Sequence, residues 1–277
     1  MNNQFLVGVA ISPQKTSFGP LMYAGRLDEG LKVASQSKFD VVELSIRAVD
    51  DIDSNELIQR LNKLNLKVSA IATGQACLFD SLCLSAENNE LQEKAVEHFK
   101  SIVMLAKTIG SEAVIIGGIR GRLTGTETQK LTQYEKGVEA LRECAKWADK
   151  HSVTLLIEPI NRYEMNWIHT TKEGLNVLEK IGIDSVKLLL DTFHMNIEEP
   201  NMLEAFRITG KRLGYVHFAD NTRLAPGQGQ IDFQAILDTL NEMGYEGPIV
   251  VEALPLPDDE TALRFTAEFW QRINSDV

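Results

Sequence analysis

The chain's 277 residues suit one large α/β barrel, which commonly uses about 250, and its 44% apolar content supplies a core without calling for a second domain. A net charge of −11 argues against nucleic acid, because a phosphate-backbone partner needs a basic face for counterion release. No apolar run approaches the roughly 20 residues of a membrane span, and the opening MNNQFLVGVAISPQK lacks the charged start and cleavage site of an export signal. No membrane partner and a cytoplasmic location are therefore expected.

In chain order, apolar strand-like runs fall at 5–11 (FLVGVAI), 39–46 (FDVVELSI), 66–72 (LKVSAIA), 112–119 (EAVIIGGI), 153–158 (VTLLIE), 186–191 (VKLLLD), 213–218 (LGYVHF) and 248–252 (PIVVE). Between them lie stretches of helical period, among them LDEGLKVASQS, NELIQRLNKL, LQEKAVEHFKSIVMLAKTIG, YEKGVEALRECAKWADKH and FQAILDTLNEMG. Strands apolar on both faces and alternating with helices demand parallel crossovers, so a single (β/α)8 TIM barrel over residues 1–277 is predicted. A doubly wound sheet is the rival, but its Gly-rich turn is absent: GGIRGR at 117–122 has the wrong spacing for a dinucleotide or phosphate loop. The longest loops are expected after strands three, four and seven, and APGQGQ at 225–230 reads as a turn. Cys77, Cys83 and Cys144 lack C-x-x-C spacing and read as packing thiols.

Glu158, Asp191, His217 and Glu252 stand at or near the ends of strands five to eight. A parallel barrel collects its chemistry at that face, and three carboxylates with one imidazole suit a hard divalent cation such as Mn²⁺, Mg²⁺ or Co²⁺. One such acid would be an ordinary solvated loop start; four on adjacent strands converge on one centre. His194, three residues after Asp191 in a strand-to-loop exit, can reach the same pocket, and Arg223 offers a planar donor fork. Arg120 and Arg122 follow strand four, where either can meet a substrate carboxylate or serve as surface charge. Glu43 and Gln75 are positioned for hydroxyl groups, although Glu43 can equally satisfy a backbone or arginine partner inside the barrel. Trp167 reads as pocket wall or core, and His98 and His169 as solvated or capping histidines.

IEPINRYEMNW, LLLDTFHMNIEEP, VHFADNTRLAPGQGQIDF and VVEALPLP together resemble the D-tagatose 3-epimerase and D-psicose 3-epimerase group of xylose-isomerase-like barrels, with ligand intervals of 33, 26 and 35 residues. Within that group, AIATGQACLFDSLCLS and IIGGIRGR are similar to segments of 5-keto-L-gluconate epimerases. The resemblance implies one divalent ion, Mn²⁺ first, held by Glu158, Asp191, His217 and Glu252. It also implies proton transfer by Glu158 and Glu252 and substrate contacts from Glu164, His194 and Arg223. The expected partners are a small sugar or sugar acid and further copies of the chain in a homo-oligomer. Removing a proton beside a carbonyl needs a base and stabilisation of the enediolate charge, and epimerisation must return the proton on the opposite face. Two acids serve that purpose, whereas isomerisation can use one face. The alternatives are a neutral ketohexose 3-epimerase, a hydroxypyruvate or inosose isomerase-type enzyme, a non-catalytic binding protein and an apurinic-site endonuclease. The nuclease fares worst, because its metal cluster draws on many histidines and this chain has five.

Overall fold

A strand with Val, Ile and Leu on both faces must be covered on both, and here eight of them are. The computed structural model describes residues 5–17 and 19–275. Its strands are β1 (Val7–Ile11), β2 (Val41–Ser45), β3 (Lys67–Ala72), β4 (Ala113–Ile116), β5 (Thr154–Ile157), β6 (Lys187–Asp191), β7 (Leu213–Phe218) and β8 (Ile249–Val251). Each pairs in parallel with the next, and Val7 of β1 lies opposite Ile249 of β8, which closes the barrel. Around it run α1 (Leu27–Gln36), α2 (Ser54–Leu64), α3 (Gly74–Asp80), α4 (Asn89–Ile109), α5 (Glu127–Lys150), α6 (Thr171–Ile181), α7 (Thr192–Glu198), α8 (Met202–Thr209), α9 (Phe233–Glu242) and α10 (Asp259–Ser275). The (β/α)8 TIM barrel is the fold predicted from the alternation of apolar and helical runs. Among the described residues, no helix is long and apolar enough to cross a membrane.

Local chemistry sets the helix boundaries. Thr126 and Gln129 form a reciprocal capping box at the start of α5, and Asn88, Thr170 and Asn201 cap α4, α6 and α8 with side-chain oxygens. Gly110 and Gly182 stop α4 and α6 in the left-handed conformation.

The barrel has two apolar layers. One joins the outer strand faces to the helices; the other fills the interior with Ala10, Val41, Ala70, Ala113, Leu156, Leu189, Tyr215 and Val250, one from each strand, plus Leu21 and Ile115. Side chains along a strand alternate between faces, so the residue two beyond an inward one also points inward. Two beyond Val41, Leu156, Leu189, Tyr215 and Val250 stand Glu43, Glu158, Asp191, His217 and Glu252. Strand parity alone thus stacks five ionisable groups on the interior's uppermost apolar layer.

The structure also departs from the predicted elements. The last residues of the fourth run turn into a 3₁₀ segment, Gly118–Arg120, instead of prolonging β4. His194 sits in the first turn of α7 and not in a loop. The connection after β5, residues 158–170, outruns the one after β4, residues 117–126, and both contribute to the pocket wall.

Candidate metal centre and pocket

Glu158, Asp191, His217 and Glu252 are all buried, and each offers a ligand atom lying within 4.8 Å of the others. Asp191 divides its two oxygens. Oδ1 caps α7 by accepting from the amides of Phe193 at 2.7 Å and His194 at 3.1 Å, whereas Oδ2 is buried without a hydrogen-bond partner. His217 divides its two nitrogens in the same way. Nε2 is 2.7 Å from Oε2 of buried Glu43, while Nδ1 is unpartnered, 3.6 Å from Asp191 Oδ2 and 3.8 Å from Glu158 Oε1. With the Nε2 proton donated to Glu43, the Nδ1 lone pair faces the carboxylates, the arrangement in which an outer carboxylate orients a ligating imidazole.

Orphaned buried acceptors are costly unless something pairs with them. Here they converge among like charges. Burial raises the Glu252 carboxyl to about 8, with Glu158 and Asp191 adding to the rise against His217 and Arg223. Burial opposes ionisation of Asp191 too, but His194 and His217 when protonated, together with Arg223, outweigh it and hold that carboxyl at about 2. Oxygen donors, one oriented imidazole and an excess of negative charge fit one hard divalent cation. Gly117 makes room for this group, since a Cβ there would come within 2.3 Å of Glu158 Oε2.

Two members of the cluster, Glu158 and Glu252, line a pocket of about 560 Å³, whose wall also includes His194, Arg223, Glu164, Arg122, Ile115, Met165 and residues of the segment after β3. Arg223 adopts a left-handed backbone, φ 58°, and lies over the Phe193 ring. Its guanidinium donates to Glu164 Oε1 at 2.8 Å and stands 3.5 Å from Glu252 Oε2. These carboxylates hold Arg223 above the usual guanidinium range despite its burial.

Three sequence expectations need correction. Arg120 is fully buried, and its guanidinium donates to the carbonyls of Gly117, Glu158, Trp167 and Ile168 at 2.6 to 3.3 Å, so it braces the loops after β4 and β5 and offers nothing to a substrate carboxylate. Burial lowers its pKa to about 10. Gln75 is also turned away: its amide nitrogen binds Ser12 and Ser45, tying α3 to the ends of β1 and β2. Cys77 and Cys83 are not free thiols; they form a disulfide, and both line the pocket. Cys144 is the buried packing thiol expected.

Glu43 does turn inside the barrel, but its partner there is the imidazole of His217 and not the backbone or arginine expected. Trp167 is core, packed edge-on to Tyr134 and donating to the Gly121 carbonyl at 2.6 Å. His169 binds the Ile160 carbonyl with Nδ1, and His98 is half-buried on α4, where burial lowers its pKa. Neither reaches the pocket. Gly117 and Asn161 were not foreseen from the sequence, although Asn161 lies inside IEPINRYEMNW.

The chain matches the xylose isomerase-like TIM barrel family over residues 31–273. It is 32% identical over 252 residues to an L-ribulose 3-epimerase of Mesorhizobium japonicum, covering 90% of this chain and 83% of that one. The chain belongs to the xylose isomerase-like TIM barrel family. A D-psicose 3-epimerase of Enterocloster bolteae is 32% identical over 220 residues, 77% of this chain and 72% of that one. A solved L-ribulose 3-epimerase structure superposes with a TM-score of 0.82 at 28% identity, covering 95% and 93% of the two chains. This xylose isomerase-like barrel thus has ketose epimerases among its relatives, and its buried Glu, Asp and His group can hold one metal ion.

Proposed function

We propose that the chain is a divalent-cation-dependent sugar epimerase, an isomerase that inverts a carbon beside the carbonyl of a keto-sugar acid such as 5-keto-L-gluconate or D-tagaturonate. The observation that carries the reaction type is the pair Glu158 and Glu252, two carboxylates that line one pocket and belong to a single ligand cluster. One takes the proton from the carbon beside the carbonyl, and the other returns a proton to the opposite face. Glu158, Asp191, His217 and Glu252 would hold the ion, Mn²⁺ first and Co²⁺ or Mg²⁺ as substitutes, which supplies Lewis-acid stabilisation of negative charge on the substrate oxygens. Glu43 keeps His217 Nδ1 turned inward, and Arg223 holds Glu164 in the pocket wall beside His194.

The acid substrate is supported by Arg122, which lines the pocket, donates to the Tyr163 and Glu164 carbonyls, and pairs with no carboxylate among the described residues. A neutral ketose is the second reading, favoured by the substrates that the L-ribulose and D-psicose epimerases are named for. A cytoplasmic location, expected from the opening sequence, and a homo-oligomeric assembly complete the reading. A screen with Mn²⁺ over 5-keto-L-gluconate, D-tagaturonate, D-fructose, D-psicose and hydroxypyruvate tests the reading. Turnover of a keto acid to its epimer is expected; conversion of hydroxypyruvate alone would overturn it.

A further inference from the structure

Asn161 is buried in the turn after β5, and its amide touches four groups. Its Oδ1 accepts from the backbone N–H of Tyr163 at 3.0 Å and of Glu164 at 3.3 Å. A backbone amide can only donate, so these two contacts fix which end of the side chain is oxygen. The NH₂ end must therefore face His194 Nδ1 at 2.8 Å and Glu164 Oε1 at 3.0 Å. An NH₂ group also only donates, so His194 Nδ1 is the bare nitrogen and the ring proton sits on Nε2. That nitrogen is 3.8 Å from Glu158 Oε1, and both residues line the pocket.

We infer that Asn161 is a positioning residue that sets the Nε2–H tautomer of His194 and, through the same NH₂ group, holds the Glu164 carboxylate beside it. The pocket wall then presents a fixed donor next to a fixed acceptor. A substrate oxygen accepts from His194 Nε2–H while a neighbouring hydroxyl donates to Glu164. The opposite tautomer would put a lone pair on Nε2, facing the Glu158 carboxylate with no proton to offer. This inference rests on the proposed epimerase reading only for what the donor binds; the tautomer itself is independent of it.

The test is ¹⁵N NMR of the Mg²⁺-loaded, ¹⁵N-histidine-labelled protein without substrate, with His194→Gln assigning the resonance. The wild type should show a bare Nδ1 and a protonated Nε2. Asn161→Asp replaces the donor with an acceptor and should move the proton to Nδ1 with bound metal unchanged. It should also lower kcat/KM by about 10²-fold, the usual cost of losing one well-placed donor to a reacting oxygen. In a His194→Gln background the same substitution should cost less than about threefold, because coupled residues are not additive. A wild-type spectrum with Nδ1 protonated overturns the inference, as does an Asn161→Asp protein that keeps the wild-type tautomer. If that variant does not fold, the wild-type spectrum alone decides. Inactivity on every ketose alongside the expected tautomer would defeat the epimerase reading and leave this one standing.

Discussion

Glutamine in place of Glu158 or Glu252 keeps the side chain's shape and removes the group that moves the proton. Each variant should lose about 10²-fold or more in turnover at wild-type metal content, the scale of a lost general acid or base. Metal analysis beside the rate separates this from simple ligand loss; near-normal turnover with normal metal in either variant would rule out the two-acid scheme. Arg120 and Arg122 are two residues apart and should behave differently. Arg120→Ala strips a buried guanidinium from four carbonyls and should lower stability by roughly 3 kcal/mol, seen as a fall in Tm. Arg122→Ala should leave Tm nearly unchanged and depress kcat/KM on the keto acid by about 10- to 150-fold relative to a neutral ketose, the range of a charge-assisted contact. Equal losses on both substrates would remove Arg122 from carboxylate recognition.

Between elements, the wall of the pocket depends on loops held to helices by a few charged contacts. Arg162, in the connection after β5, donates its backbone N–H at 2.6 Å and its guanidinium at 2.7 to 3.1 Å to Glu198 at the end of α7. The hydrogen bond from Arg162 holds the Glu198 carboxyl below its ordinary value. A carboxyl lowered in the folded state adds stability above its unfolded value, about 4.3, and that stability disappears as pH falls through the folded value. Wild type should therefore exceed Glu198→Gln in stability at pH 6, and in denaturant titrations the gap should close as the pH falls below the unfolded carboxyl's value of about 4.3. A gap that stays constant with pH would show that the contact acts through packing alone.

At this scale the sequence is informative where periodicity does the work. The strands were legible because both faces are apolar, and the ligands because each closes or nearly closes an apolar run; that each also stands two positions beyond an inward residue is visible only in the fold. α7 was not: Thr192–Glu198 has little apolar period and begins on Asp191, whose cap was hidden by its reading as a ligand. Arg120 was misplaced because GGIRGR reads as a flexible exposed loop, whereas the 3₁₀ turn carries its guanidinium beneath Trp167. Cys77 and Cys83 have no recognisable spacing; the short helix α3 and the turn after it bring them together.

For the whole molecule, a cation held by residues at the ends of four strands would link half the barrel, so its binding and the fold's stability would be coupled. At about 100 times its dissociation constant, Mn²⁺ should add about 2.7 kcal/mol to unfolding free energy, and Asp191→Ala should abolish that increment. An equal rise in Tm in the variant would place the ion elsewhere. The most direct test of the central claim is epimerisation in D₂O, comparing Mn²⁺-loaded protein with a chelated sample and reading the product by NMR. One deuterium at the inverted carbon with Mn²⁺, and no turnover after chelation, is the result predicted for two carboxylates exchanging protons beside a bound cation. Inversion without deuterium, or full activity in the chelated sample, would contradict it.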